Sequence, residues 1–142
     1  MKIIVFFVAI FFLIIFTISQ IVFAETDSKK FFAAVDKGSL DEVKQLLHAG
    51  IDINATNYAK QTALMRAVIK GHNDIAQFLI DKGADVNAKD FSNDTAWILA
   101  IQYGNVKILP VLMNNGADVN VVDYYGRTPI MLAKSFFIRL KL

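Results

Sequence analysis

The chain contains no cysteine, which excludes disulfides, thiolate nucleophiles and thiolate metal sites together. Its two histidines, His48 and His72, have no second ligand at metal spacing. Charge of one sign is equally scarce: with Lys2 set aside from the 15 Lys and Arg, the remaining 14 exceed the 13 Asp and Glu by only one. Such a balance carries no electrostatic footprint for nucleic acid. Ser19, Ser28, Ser39, Ser92 and Ser135 stand in no nucleophile-elbow or triad setting. Proline is confined to Pro110 and Pro129, and the glycines are isolated, which leaves no Gly-rich phosphate loop.

What is abundant comes first at the N-terminus. Lys2 precedes an almost unbroken apolar run over residues 3–18, and Val22-Phe23-Ala24 stands ahead of Glu25. A short basic start, a greasy middle and a small residue at the cut are the parts of a secretory signal peptide, with cleavage expected after Ala24. The implied location is secreted or periplasmic. Residues 3–24 are also long enough to cross a bilayer at about 1.5 Å per residue, so an uncleaved membrane anchor is the alternative. Lys2 before the span and Glu25 and Asp27 after it orient the remainder away from the cytoplasm, a contrast that Lys29 and Lys30 weaken. The expected division is therefore 1–24, leader or anchor, and 25–142, one folded domain.

Within that domain one set of residues returns every 33 positions. Gly38, Gly71 and Gly104 form one register; Gly50, Gly83 and Gly116 form another. Asp52, Asp85 and Asp118 keep the same step, as do Asn54, Asn87 and Asn120, and Thr62, Thr95 and Thr128. A fixed period of this length marks a stacked-repeat protein. The units run over about 28–56, 57–89 and 90–122, with a partial fourth at 123–142.

The second unit predicts its own structure. Thr62 precedes the apolar-periodic stretch of residues 63–68, where its oxygen can cap a helix, and Gly71 supplies the left-handed conformation of a helix stop. A first helix is expected over about 63–70. A second begins near Asn73-Asp74, presents Ile75, Ala76, Phe78, Leu79 and Ile80, and stops at Gly83. Helices this short do not stand alone in water, so each hairpin must bury its greasy side on its neighbours. Pro129 suits a first helical position, whereas Pro110 falls inside the second helix of the third unit and should kink or shorten it. Asp and Asn in the registers at 52 and 54 are explained by bonds to their own backbone in a turn.

These residues resemble the ankyrin repeat family, whose pattern reads roughly D-x-x-G-x-T-P-L-H-x-A-A-x-x-G-x-x-x-V-V-x-x-L-L-x-x-G-A-D-V-N-A. T-A-L-M-R-A at 62–67, T-P-I-M-L-A at 128–133, K-G-A-D-V-N-A at 82–88 and N-G-A-D-V-N at 115–120 carry the likeness. It covers nearly all of residues 28–142. The resemblance implies a mainly α fold, a solenoid of stacked helix-turn-helix hairpins with β-turn tips, acting as a protein-binding module without cofactor. The chain departs from the pattern at three kinds of position. The family histidine is Met65, Ile98 and Met131, trading a polar network for apolar packing. The glycine ahead of the threonine is Lys60 and Asn93, surviving as Gly126. Phe137 stands where a glycine would end the last helix.

Chemistry is not expected of this chain. Stacked layers lie about 8–10 Å apart, which keeps Asp52, Asp85 and Asp118 from sharing a proton. The sequons at Asn54 and Asn93 coincide with turn and cap positions of the repeat. Binding is expected instead: equal phase places Tyr58, Phe91 and Tyr124 in an aromatic row on the turn tips, where large side chains bury much area at small entropy cost. The competing reading is that each aromatic packs on the next tip. The family resemblance adds Thr56, Lys89 and Val122, with the helix-end residues Asp36, Lys37, Ile69, Lys70, Gln102 and Tyr103, to a concave protein-binding surface. Phe136, Phe137, Ile138, Leu140 and Leu142 form an apolar end, read as a self-association surface, a docking site or the mark of a truncated frame. An exported adaptor is the primary expectation; an anchored scaffold and an inactive remnant are its alternatives.

Overall fold

The computed structural model describes the backbone of residues 2–140 and the side chains of 7–18 and 27–135. Among the described residues seven α-helices follow one another: α1 (Lys2–Lys37), α2 (Leu40–His48), α3 (Ala63–Lys70), α4 (Asn73–Asp81), α5 (Ala96–Gln102), α6 (Leu109–Asn114) and α7 (Pro129–Leu140). They form two layers. The end of α1 packs on α3, α3 on α5 and α5 on α7, making an inner row, while α2 packs on α4 in an outer row. No strand exists among the described residues; Thr56 and Thr62 form one isolated antiparallel bridge. The mainly helical solenoid expected from the period is the fold observed.

Local chemistry accounts for the hairpins. The Met65 amide donates to Thr62 Oγ1 at 3.3 Å, and the Thr62 amide donates to Met65 Sδ at 3.4 Å. The residue that replaces the family histidine thus still serves a polar role, through sulfur, at the start of α3. Thr95 caps α5 in the same way through Ile98. Gly71 adopts φ 76° as the C-cap of α3, and its N–H returns to the Val68 carbonyl. At α4 the cap differs from expectation: His72 occupies the N-cap and its side chain makes no cap bond, while Asn73 Oδ1 is turned to the next repeat and accepts from Asn105 Nδ2 at 2.9 Å.

Pro110 has the expected effect. The third outer helix begins as a 3-10 turn, Val106–Ile108, and continues as the six-residue α6 with the proline in its first turn, against nine residues in α4. Helix α7 runs twelve residues, continuing through position 137, whereas at the equivalent positions Gly71 caps α3 and Gly104 follows Tyr103, the C-cap of α5. The side chains of residues 136–142, which carry the apolar end, lie outside the described residues.

Helix α1 is continuous over 36 residues, so the first inner helix of the stack and the apolar leader share one rod. Phe31, Ala34 and Val35 on its last turns are buried in the positions that Leu64, Ala67 and Val68 hold on α3. Upstream, the described side chains of residues 7–18 are exposed. Among the described residues no helix is long and apolar enough to cross a membrane. The span expected at 3–24 falls partly outside them.

One hydrophobic cluster extends without a break from Phe31 through Leu64, Val68, Ile75, Leu79 and Leu99 to Leu112. Fully burying a side chain of this size stabilises by about 1.5–3 kcal/mol, which is what compensates the short helices for their unfavourable nucleation. A smaller cluster, Ile98, Val121 and Leu132, joins α7 to α5.

Candidate functional site

Each repeat projects a tip whose shape is set by one side chain. Asn57 Oδ1 accepts the amides of Ala59 (2.9 Å) and Gln61 (3.0 Å). Asp90 Oδ1 accepts those of Ser92 (2.8 Å) and Asp94 (3.0 Å), and Asp123 Oδ1 those of Tyr125 (2.9 Å) and Arg127 (2.8 Å). A short side-chain acceptor two and four residues ahead of two amides folds the backbone into a tight loop. Neighbouring tips are stitched together: the Tyr124 amide donates to the Ser92 carbonyl at 2.8 Å, and the Phe91 amide to the Ala59 carbonyl at 3.4 Å. The register at 57, 90 and 123 also steps by 33, the signal by which sequence reasoning could have found these acceptors.

A second ladder joins the turns below. Asp52, Asp85 and Asp118 each accept the amide two residues on at 2.9 Å, the expected turn bonds. Asn54 and Asn87 do more than the sequence suggested, since their Oδ1 atoms accept the Asp85 and Asp118 amides of the following repeat at 2.9 and 2.8 Å. At the other sequon Asn93 Nδ2 donates to the Val122 carbonyl at 2.8 Å. His48 Nδ1 lies 2.7 Å from the Lys44 carbonyl and His72 Nε2 lies 3.2 Å from that of Asp36. Among the described residues no group of three His, Asp or Glu is placed to hold a metal.

The aromatic row stands free of the stack. Tyr58 is 95% exposed, and Phe91 and Tyr124 are each 73% exposed. Tyr124 makes one edge-to-face contact, with its own neighbour Tyr125 at 5.5 Å. Thr56, Lys89 and Val122 are exposed beside them. Of the helix-end residues, Lys37, Lys70 and Tyr103 are exposed, while Asp36, Ile69 and Gln102 are half-buried in the floor between the tips and the inner helices.

That floor is polar at both ends. At the front Arg66 forks onto Asp36, Nε to Oδ1 at 2.9 Å and Nη2 to Oδ2 at 2.7 Å, in a geometry that fixes both groups. The Asp36 bond, followed by the nearby phenols of Tyr58 and Tyr103, holds the guanidinium more firmly protonated against its burial. A 450 Å³ cleft opens there beside Phe32, Tyr58 and Arg66. At the back, Asp123 Oδ2 accepts from Arg127 Nε at 2.6 Å. Burial pushes the Asp123 carboxyl up, but its bonds and charge attraction to Arg127 outweigh this and hold it below the usual range. Asp94, overlooked in the sequence because it precedes a cap, is buried and pushed up to about 6, chiefly by desolvation.

The geometry defines a helical-repeat solenoid whose hydrogen-bonded tips stand beside the ends of its inner helices. Residues 46–100 match the family model for ankyrin repeats in many copies, and residues 92–124 match that for the ankyrin repeat. The chain belongs to the ankyrin repeat family. Such repeats are protein-protein interaction modules. No curated protein matches the chain.

Proposed function

We propose that this protein is an exported, non-catalytic adaptor that holds a protein partner against its concave face, with Tyr58, Phe91 and Tyr124 as the main contacts. The exposure of all three rings, in a row on tips whose backbones are bonded to one another, is the observation that supports this reading. Rigid aromatics on a rigid ladder lose little entropy when covered. The remaining surface positions, Thr56, Lys89, Val122, Ile69, Lys70, Gln102 and Tyr103, supply shape and specificity around them. The side chains of the tip acceptors and of the aspartate ladder are committed to backbone amides, which favours a binding role over acid-base chemistry.

Export rests on the leader. The shared rod of α1 adds a mechanical point: cleavage after Ala24 would leave the buried Phe31, Ala34 and Val35 on the stack, whereas retention would tether the stack to a bilayer through residues 3–24. N-terminal sequencing of the protein isolated from its producing cell separates the two, with Glu25 expected as the first residue. A photo-crosslinking phenylalanine placed at Phe91 should give an adduct of discrete mass with a partner protein, and one placed at Asp81 on the outer layer should not. Equal labelling at both positions would refute the concave-face reading.

A further inference from the structure

The third repeat differs from its neighbours at one phase of the period. Gln61 and Arg127 occupy in the second and fourth units the place that Asp94 holds in the third. Asp94 is only 7% exposed, and it lines a 410 Å³ cavity enclosed by α5, α7 and the last two tips. Its Oδ2 accepts from Gln102 Nε2 at 3.2 Å, whereas its Oδ1 has no hydrogen-bond partner. A buried carboxylate oxygen without a donor is costly, and native structures seldom leave one so unless something else completes it.

The surroundings say what would complete it. Arg127, the one cation lining the cavity among the described residues, is already joined to Asp123, and its guanidinium lies 5.1 Å from the Tyr125 ring centre. Burial first, and then the negative charge of Asp90 and Asp123, raises the titration of Asp94 to about 6, still below neutral pH. Among the described residues, three carboxylates in or beside the cavity face one committed guanidinium, a shortage of positive charge. Tyr103 and Tyr124 also line it and are exposed, which places two aromatic rings of the kind that attract a cation at a cavity that is open to solvent. Its volume suits one long side chain rather than a folded segment.

We propose that this cavity is the subsite for a single lysine or arginine side chain of the bound protein, its cationic head donating to Asp94 Oδ1 and its stem lying between Tyr103 and Tyr124. This assignment rests on the concave-face reading and gives the partner a chemical requirement: a basic residue where the chain crosses the last two tips. The front cleft lacks this requirement, because Asp36 is matched there by Arg66.

The test uses the full chain in mild detergent and three capped tripeptides, acetyl-Gly-Lys-Gly-amide, acetyl-Gly-Arg-Gly-amide and the norleucine counterpart, followed by amide chemical shifts. The basic tripeptides should move Ser92, Asp94, Gln102 and Tyr124 together at least tenfold more tightly than the norleucine one. Asp94→Asn should abolish the difference and Asp94→Glu should retain it, with circular dichroism reporting that both variants fold. Equal shifts from all three tripeptides, or basic-peptide shifts unchanged in D94N, would overturn the assignment. Binding of n-butylammonium as tight as that of the lysine tripeptide would also overturn it, in favour of a free amine. The crosslink at Phe91 keeps the two readings separate. An adduct in a chain that ignores basic tripeptides defeats the subsite alone, and tripeptide binding without any adduct defeats the concave-face reading.

Discussion

Asn54 Oδ1 accepts the backbone N–H of Asp85 at 2.9 Å, across a separation of one whole repeat, and Asn87 makes the same bond to Asp118 at 2.8 Å. Asn87 adds a second bond, from Nδ2 to the Gly116 carbonyl at 2.9 Å. These asparagines couple successive units through hydrogen bonds that add to the tip bonds and the apolar packing between them. Asn87→Ala should therefore destabilise the third unit by about 1–2 kcal/mol, the net worth of one or two such bonds. Amide exchange at residues 116–120 should accelerate while exchange within α3 stays unchanged. A uniform acceleration along the chain would mean that the ladder does not act locally.

Lys60 adopts φ 59°, the conformation its family counterpart reserves for glycine. An L side chain there costs about 1–2 kcal/mol, partly offset in a comparison with glycine by the latter's greater entropy loss on folding. Lys60→Gly should raise stability by about 0.5–1 kcal/mol in a urea titration. Asn93, at φ 60°, should behave differently, because asparagine tolerates this region and its Nδ2 bond to Val122 would be lost. Asn93→Gly is expected to be neutral or destabilising.

Gly38 carries two constraints where Gly50 carries one. Both have left-handed φ, at 80° and 95°, but a Cβ at Gly38 would lie 2.7 Å from Cε1 of His72, and one at Gly50 would meet nothing. Gly50→Ala should cost about 1 kcal/mol from backbone conformation alone. Gly38→Ala should cost more, and the excess should shrink in a His72→Ala background, since a double-mutant cycle isolates the contact.

How much of this was legible in the sequence follows from which interactions repeat. The ends of α3, the start of α4, the helix-stopping Gly71 and the disruption at Pro110 were readable because each rests on a local rule about one residue and its near neighbours. The Asn54 and Asn87 bonds were half readable: the turn was evident, but a partner a full period away appears only once the units are stacked. Asp94 was hidden for the opposite reason. It breaks the period, and a lone aspartate before a capping threonine looks like a solvated turn residue until α5 and α7 close over it. The Asp36–Arg66 pair was likewise invisible, because it joins two units at positions of different phase.

The aromatic tips should be energetically idle in the free protein. Tyr58 is 95% exposed, so replacing it by alanine removes little buried area, and Tyr58→Ala, Phe91→Ala and Tyr124→Ala should each change stability by less than about 0.5 kcal/mol. Helical circular dichroism of the triple variant should match the parent, while the Phe91-proximal crosslink, moved to Lys89, should disappear. Cooperative loss of the fold in the triple variant would show that the rings brace one tip against the next.

Asp94 gives the stability a pH dependence of definite sign. Its pKa is raised from an ordinary 3.8 to about 6, first by burial and also by Asp90 and Asp123, against the Gln102 bond and the Arg127 charge. A group raised on folding binds its proton more tightly in the folded state, so its contribution is fully present below the unfolded value and is lost as pH rises through the folded one. Between about pH 4 and 7 the parent should lose on the order of 1–2 kcal/mol relative to Asp94→Asn, whose asparagine carries no charge to desolvate. Glu42, held below its ordinary value by Lys37, acts in the opposite direction in both proteins and cancels in the difference. Urea midpoints for the two chains should therefore diverge with rising pH, D94N becoming the more stable. Parallel midpoints across that window would place Asp94 in water, and a basic side chain entering the cavity would then gain nothing from meeting it there.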